Sequence, residues 1–456
     1  MMRKIIAAVA VVTGMVLPSI AQAETLADAL IAAYKSSNLM AQNQAVLRAA
    51  DEDAASAFAK LMPVLTYSAQ KSVSNLSSAP SVDINRETQS LTASLTLFAG
   101  GRTRNGVAIA REAVMATRAN LMNVEGQVLL SAVAAYVTMG QKAQIVALRE
   151  SNTRLITQQL RAAKDRFEVG EVTLTDVSLA EARLAAASAG LAAAQGELSI
   201  AREAYKTAIG SYPANLRALP KLPALPKTLE EARAIAQTAH PSILQAQSQV
   251  KIADLQVKIA QGALGPTLGA NISRSRDQAG VETTTSALQL NQTIYAGGGG
   301  AAALRKTYAQ KEAAQAGLLQ TGLTVSENLG RAWAGLAVAN ASVRAGEAQI
   351  AAAQKAFDGV REEANLGSRT TLDVLNSEQE LLSARASKLD AEANRYIGVY
   401  QVLLAMGQLS AEKLNLGIPT YDAEAYYNSV KNAPPIWTQP SKQGAALDRI
   451  LGNSGN

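Results

Sequence analysis

An internal duplication constrains this chain more than any other feature. Thr25-Leu26 opens one half and Thr228-Leu229 the other, 203 residues apart, and Pro63 and Pro266 keep that spacing. Thr96 to Gly101 (TLFAGG) then matches Thr293 to Gly298 (TIYAGG) at an offset of 197. Gly170, Asp176, Glu181 and Leu184 match Gly367, Asp373, Glu378 and Leu381, again at 197. The offset changes once, between Pro63 and Thr96, so the first half holds a six-residue longer insert there. Whatever forms must use one plan twice.

Each half predicts helix, two strands, a very long helix, a turn and a closing helix. The opening helix runs from about 25 to 61 and stops near Pro63, because proline disfavours helix at the residue before it. The long helix starts after Gly101 and reaches about Phe167. At 1.5 Å per residue that is roughly 100 Å. Val107, Val114, Leu121 and Val128 recur every seven residues, the spacing of a coiled-coil seam. The closing helix spans about 172 to 209. Aromatic residues make up 4% of the chain, and the 48% of apolar residues is rich in alanine. Alanine favours helix and adds little bulk, which suits long, closely packed helices over a thick core. The halves are placed at 24–210 and 228–416, joined by a Pro-rich linker at 211–227 and followed by a C-terminal tail at 417–456.

Strands are expected at about 64–74, 88–98, 267–276 and 284–294. In Ser90 to Leu97 (SLTASLTL), Leu91, Ala93, Leu95 and Leu97 share one face, and Ser90, Thr92, Ser94 and Thr96 the other. Leu288, Leu290 and Ile294 oppose Ala287, Gln289, Asn291 and Thr293 in the same way, and Leu65, Tyr67 and Val73 oppose Thr66, Ser68, Gln70 and Ser72. Thr267 to Ser273 alternates more weakly. An apolar-out, polar-in pattern of about ten residues per pass is that of a transmembrane β-barrel. A half-buried soluble sheet gives the same alternation. Four strands cannot close a barrel, since the smallest bacterial ones have about eight. Open edges in lipid would leave backbone groups unsatisfied, so several copies would have to pool strands, and pooling alone leaves dimer, trimer and tetramer open.

The remaining composition narrows the function classes. Arg3 and Lys4, the apolar run Ile5 to Leu17, and Ala21-Gln22-Ala23 read as an export signal over residues 1–23. Without Arg3 and Lys4, 41 basic residues face 37 acidic ones. That balance, with no basic block, argues against nucleic-acid binding. With no cysteine and only His240, the chain lacks the ligands for a thiolate or His-based metal site, and no cofactor is expected. His240 precedes Pro241 where the helical pattern bends, a structural place. No run of about 18 unbroken apolar residues follows the signal.

The two segments Gly170-Glu-Val-Thr-Leu-Thr-Asp176-Val177 and Gly367-Ser-Arg-Thr-Thr-Leu-Asp373-Val374 resemble the turns of the TolC family of outer-membrane efflux and type I secretion channels. So do the paired FAGG and YAGG segments, and the ending Leu416 to Asp422 with Tyr426-Tyr427. The resemblance spans Thr25 to about Tyr427 and implies a mainly α fold with a β-barrel part. In it, a homotrimer forms a 12-stranded transmembrane barrel continuous with a periplasmic α-helical barrel. It also implies an outer-membrane location, contact with outer-membrane lipid, a periplasmic adaptor (membrane fusion) protein and an inner-membrane RND or ABC transporter. The channel would catalyse nothing.

The helix turns are the expected working parts. Gly170 and Gly367 suit left-handed helix ends, and Asp176 and Asp373 suit the following helix starts. Ser178-x-x-Glu181 has capping-box spacing. The resemblance implies that Asp373 rings the narrowest point of the lumen, with Asn376 where relatives often carry a second aspartate and Ala364 in place of a tyrosine. It also implies that Arg369 ties neighbouring tips to a carboxylate such as Asp176. Val177 and Val374 belong to the same turns, with adaptor docking expected around them. Gly100-Gly101 and Gly297-Gly298 are flexible strand-to-helix joints. No catalytic or phosphate-binding motif is present. The competing reading is a periplasmic coiled-coil scaffold or adhesin without a pore.

Overall fold

A computed structural model describes residues 24–76, 82–418 and 421–433. The export signal, the first hairpin tip, Pro419-Thr420 of the ending motif and the tail from 434 lie outside the described residues. The first half gives α1 (Leu26–Ser36), α2 (Asn38–Ala59), β1 (Val64–Leu76), β2 (Val82–Phe98), α3 (Arg102–Glu168) and α4 (Leu174–Ile209). The second gives α5 (Leu229–Ala239), α6 (Pro241–Gly262), β3 (Thr267–Asp277), β4 (Glu282–Asn291), α7 (Gly299–Asn365) and α8 (Thr371–Ala405), followed by α9 (Ala423–Val430). The same order thus occurs twice.

The opening helix is two helices where one was expected. Ser37 leaves helical geometry and its hydroxyl accepts the amide of Met40, capping α2. In the second half His240 does the same job, its Nδ1 accepting the amide of Ser242 at 3.1 Å ahead of Pro241. Ser37 and His240 stand 203 apart, so the break is part of the repeated plan. Helices α3 and α4 contain alanine-rich 18-residue windows of mean hydropathy 1.2, apolar enough by length and composition to span a bilayer. A search for unbroken apolar runs passes over them.

The chain forms two compact units. Among the described residues, one comprises those from Glu24 to Ser36, Ala132–Leu222 and Gly346–Ala393; the other comprises Ser37–Ser131, Pro223–Ala345 and those from Asn394 to Ala433. In the first, the start of the segment after α4 packs against the chain's opening residues. Leu216 pairs with Glu24, and the buried Tyr136 hydroxyl donates to the carbonyls of Glu24 and Arg217 at 2.9 and 2.8 Å. Tyr205 is also buried, its ring 6.4 Å from that of Tyr136.

The second unit carries the antiparallel sheet β1-β2-β3-β4. Its register puts Leu65, Ala93 and Ile272 in one row, and Leu95, Ala270 and Leu288 in the next. The other face takes Ser68, Ser90 and Ser275, with Ser68 and Ser90 hydroxyls 2.8 Å apart. The apolar face is bare: Leu65 and Leu288 are each 68% exposed. Strand β2 continues through Leu95–Phe98, where β3 alone holds it, since β1 pairing begins at Ser94. The corresponding residues 292–295 were expected as strand to Ile294, yet β4 ends at Asn291. Among the described residues no strand flanks them, and Ile294 is 96% exposed.

At the strand–helix joints Gly100, Gly101, Gly297 and Gly298 all have positive φ. Gly100 also lies against the end of α6, where a Cβ would come within 2.3 Å of the Gly262 carbonyl oxygen. Part of the expected tail is ordered helix. Asp422 caps α9, the Tyr426 hydroxyl donates to Glu52 on α2 at 2.5 Å, and Arg118 donates to the Ala423 carbonyl at 3.0 Å.

Candidate functional site: the paired helix turns

Both long helices end in the same way. Gly170 (φ 80°) and Gly367 (φ 78°) adopt the left-handed conformation, which costs other residues about 1–2 kcal/mol. The next amides reach back five residues, Glu171 to the Arg166 carbonyl and Ser368 to the Glu363 carbonyl, both at 2.9 Å. These bonds satisfy carbonyls that a helix end leaves orphaned.

Three residues later each chain segment re-enters a helix through a capping box. Thr173 accepts the Asp176 amide while the Asp176 carboxylate accepts the Thr173 amide (3.0 Å) and hydroxyl (2.8 Å). Thr370 and Asp373 repeat this with 3.0 and 2.9 Å. The box is therefore Thr-x-x-Asp. Ser178 lies inside α4, and Glu181 instead pairs with Lys164 at 2.7 Å, so the expected Ser178–Glu181 box does not form. The bonds from Thr173 hold Asp176 below the usual carboxylate range, and those from the Thr370 amide and hydroxyl do so for Asp373. Both carboxylates carry charge at neutral pH, and Asp373 is partly exposed.

The turns share a groove of about 770 Å³, lined by Arg166, Glu171, Asp176, Arg361, Arg369 and Thr370 among others. Within the chain Arg369 pairs with Glu363 of its own turn at 2.7 Å, and not with Asp176. Asn376 accepts from Arg183 of α4 at 2.7 Å, which ties the two closing helices together. Val177 and Val374 are buried; Val374 packs with Phe357 and Leu381, so both support the turns from within. Ala364 packs against that same cluster. Above it, buried Glu378 accepts from Asn152 of α3 at 2.7 Å.

Thr173, Thr370, Glu363, Arg183, Asn152 and Glu378 are the site residues that sequence reading passes over. The Thr-x-x-Asp spacing at both repeats is a readable signal for the threonines. Nothing local marks Arg183 or Asn152, whose partners lie 193 and 226 residues away. The described residues include no cluster of metal-ligating side chains.

The family model for outer membrane efflux proteins matches residues 29–211 and 233–408. The chain is 36% identical over 439 residues to outer membrane efflux protein BepC of Brucella suis biovar 1 (strain 1330), covering 94% of this chain and 96% of that protein. It is 29% identical over 255 residues to the proteases secretion protein PrtF of Dickeya chrysanthemi, covering 52% of this chain and 55% of PrtF. The fold matches the crystal structure of CusC with a TM-score of 0.76 at 18% identity, over 84% of this chain and 91% of that one. The chain belongs to the outer membrane efflux protein family, the TolC-like group that its paired turns resemble.

Proposed function

We propose that copies of this outer-membrane chain assemble into the exit duct of a tripartite efflux or secretion system, opened and closed at the helix turns. The reading rests on one observation. A four-stranded sheet shows lipid-like side chains on the helix-proximal part of one face, with charged pairs such as Lys71–Glu87 toward the hairpin ends, and hydroxyls and amides on the other, and the outer sides of both edge strands, β1 and β4, are unpaired among the described residues of the chain. In hydrocarbon each unsatisfied backbone group costs several kcal/mol, so the edges need other copies. Three copies supply twelve strands, the number the family resemblance implies.

The long helices then extend into the periplasm, where an adaptor and an inner-membrane RND or ABC transporter would meet the turns. Asp373, charged and partly exposed, is suited to a ring of negative charge that favours cations. Arg369–Glu363 and Arg183–Asn376 brace the tip that such a ring occupies. Drugs and other toxic compounds, or polypeptides, are the expected cargo, following the efflux and secretion roles named for BepC and PrtF.

Purified protein in planar bilayers should conduct, and the protein should stay with membranes through salt and carbonate washes. A soluble monomer that never conducts would overturn the proposal.

A further inference from the structure

We infer that Glu378 is a proton-operated latch between α8 and α3, holding the helices above the turns together when protonated and loosening them when ionised. The inference rests on the conduit reading above, and it concerns a residue five positions beyond Asp373, on the helix that the second turn begins.

The duplication exposes the anomaly. Glu181 and Glu378 are repeat mates, as are Lys164 and Arg361, each at 197. In the first half Glu181 is half-exposed and paired with Lys164. In the second half Glu378 is only 5% exposed, and Arg361 has turned to the Phe357 ring, 5.7 Å from its centroid. One carboxyl oxygen of Glu378 takes the Asn152 amide; the other is buried with no hydrogen-bond partner among the described residues.

Glu378 borders a cavity of about 110 Å³ between α3, α7 and α8. From α3 the lining includes Ser151 and Asn152 but no ionisable group. From α7 it includes Gln354 and Phe357, which hold Asp358 and Arg361. From α8 it includes Arg385, whose guanidinium donates to the Gln354 side-chain Oε1 at 2.7 Å. Among the described residues no cation bonds Glu378, so ionising it places a charge at a site that offers one amide. Burial accordingly pushes the carboxyl up from 4.5 to about 7, against the smaller pull of Asn152.

The direction follows by linkage. The packed state holds the proton to about pH 7, whereas a released, hydrated carboxyl loses it near 4.5. Acid therefore favours packing. The released-to-packed ratio rises up to about ten-fold per pH unit between those values and is level above the higher one. Asp176 and Asp373 are shifted the other way and stay charged through this window. Asp51 on α2, buried and pushed up to about 6 by burial, titrates inside it, so the decisive comparison is with a variant at 378 itself.

The test measures opening in planar bilayers from pH 5 to 7.5 for the wild-type protein, Glu378→Gln and Glu181→Gln. Protection of the amides of residues 374–382 is followed in parallel by hydrogen exchange corrected for intrinsic rate. The side-chain amide introduced by Glu378→Gln keeps an acceptor for Asn152 and carries no charge. The latch predicts that opening rises and protection falls with pH in the wild type and in Glu181→Gln, and that both are flat in Glu378→Gln. A flat wild type, or an equal slope in Glu378→Gln, overturns the latch while leaving the conduit standing. A wild type that never conducts overturns the conduit, and the exchange profile then decides the latch alone.

Discussion

The duplication makes the seam between copies calculable to the residue. In the first hairpin Val64 faces Ser94; moving each by its own offset gives Thr267 facing Asn291, the pairing found in the second hairpin. Between the halves, Ser94 of β2 faces Asn271 of β3. In the proposed assembly the same displacement would put Asn291 of β4 opposite Ser68 of β1 in a neighbouring copy. This register pairs about nine residues of each strand and, at several kcal/mol per backbone group left bare in lipid, is worth tens of kcal/mol per seam. It also keeps Leu288 and Leu290 on the same face as Leu65 and Tyr67, whereas a slip of one residue would turn them to the wet side.

Because the chain has no cysteine, a pair can be introduced cleanly. Directly opposed antiparallel residues have Cα atoms about 4.5–5.5 Å apart, within the usual span of a disulfide. A two-residue slip moves a partner about 7 Å along the strand, beyond that span. Within one chain, β1 and β4 are at opposite edges of the sheet, about 14 Å apart at the usual strand spacing, so any bridge joins two copies. Asn291→Cys with Ser68→Cys, oxidised in membranes and run denatured without reductant, should give linked pairs and triples. Asn291→Cys with Gln70→Cys should stay mostly monomeric. Efficient linkage in the Gln70→Cys pair, or none in the Ser68→Cys pair of a conducting protein, would refute the reasoning.

Other consequences are smaller and separable. Thr370→Val removes the box that orders the second turn and should cost about 1 kcal/mol locally, read as roughly five-fold faster amide exchange at the start of α8; unchanged exchange would count against the box. Asp373→Ala should relieve block by multivalent cations in bilayer recordings, and Arg369→Ala should raise the resting open fraction; unaltered recordings from both would remove these residues from the gate. Gly100→Ala combines a left-handed backbone penalty of about 1–2 kcal/mol with a clash at the Gly262 carbonyl, so folded yield should fall sharply. Normal yield from that variant would mean that the joint yields where close backbone packing says it cannot.

Periodicity and duplication make most of the architecture readable from the residues. Alternation places the sheet and its two faces, and the matched glycines place both turns. The break after α1 escapes such a reading because Ser37 sits in a sequence with no proline, while its mate His240 is followed by one. The early end of β4 escapes it because alternation through Ile294 describes what a strand prefers, whereas a strand also needs a neighbour. At the turns, the aspartates are legible from their position after glycine. The pairings of Arg183 with Asn376 and Asn152 with Glu378 join residues that only helix packing brings together.

The wet face of the sheet has one more implication. From Thr66 to Ser72, Thr88 to Ser94, Asn271 to Ser275 and Thr283 to Asn291, its positions hold hydroxyls, amides and one alanine, and no ionisable group. Side chains of this kind exchange partners with water as readily as with a passing solute, and they neither trap nor repel a net charge. On the same face Arg86, opposite Ser72, and Asp277, opposite Thr88, stand just beyond these positions, so in the proposed barrel a neutral corridor would end at a charged rim near the hairpin ends.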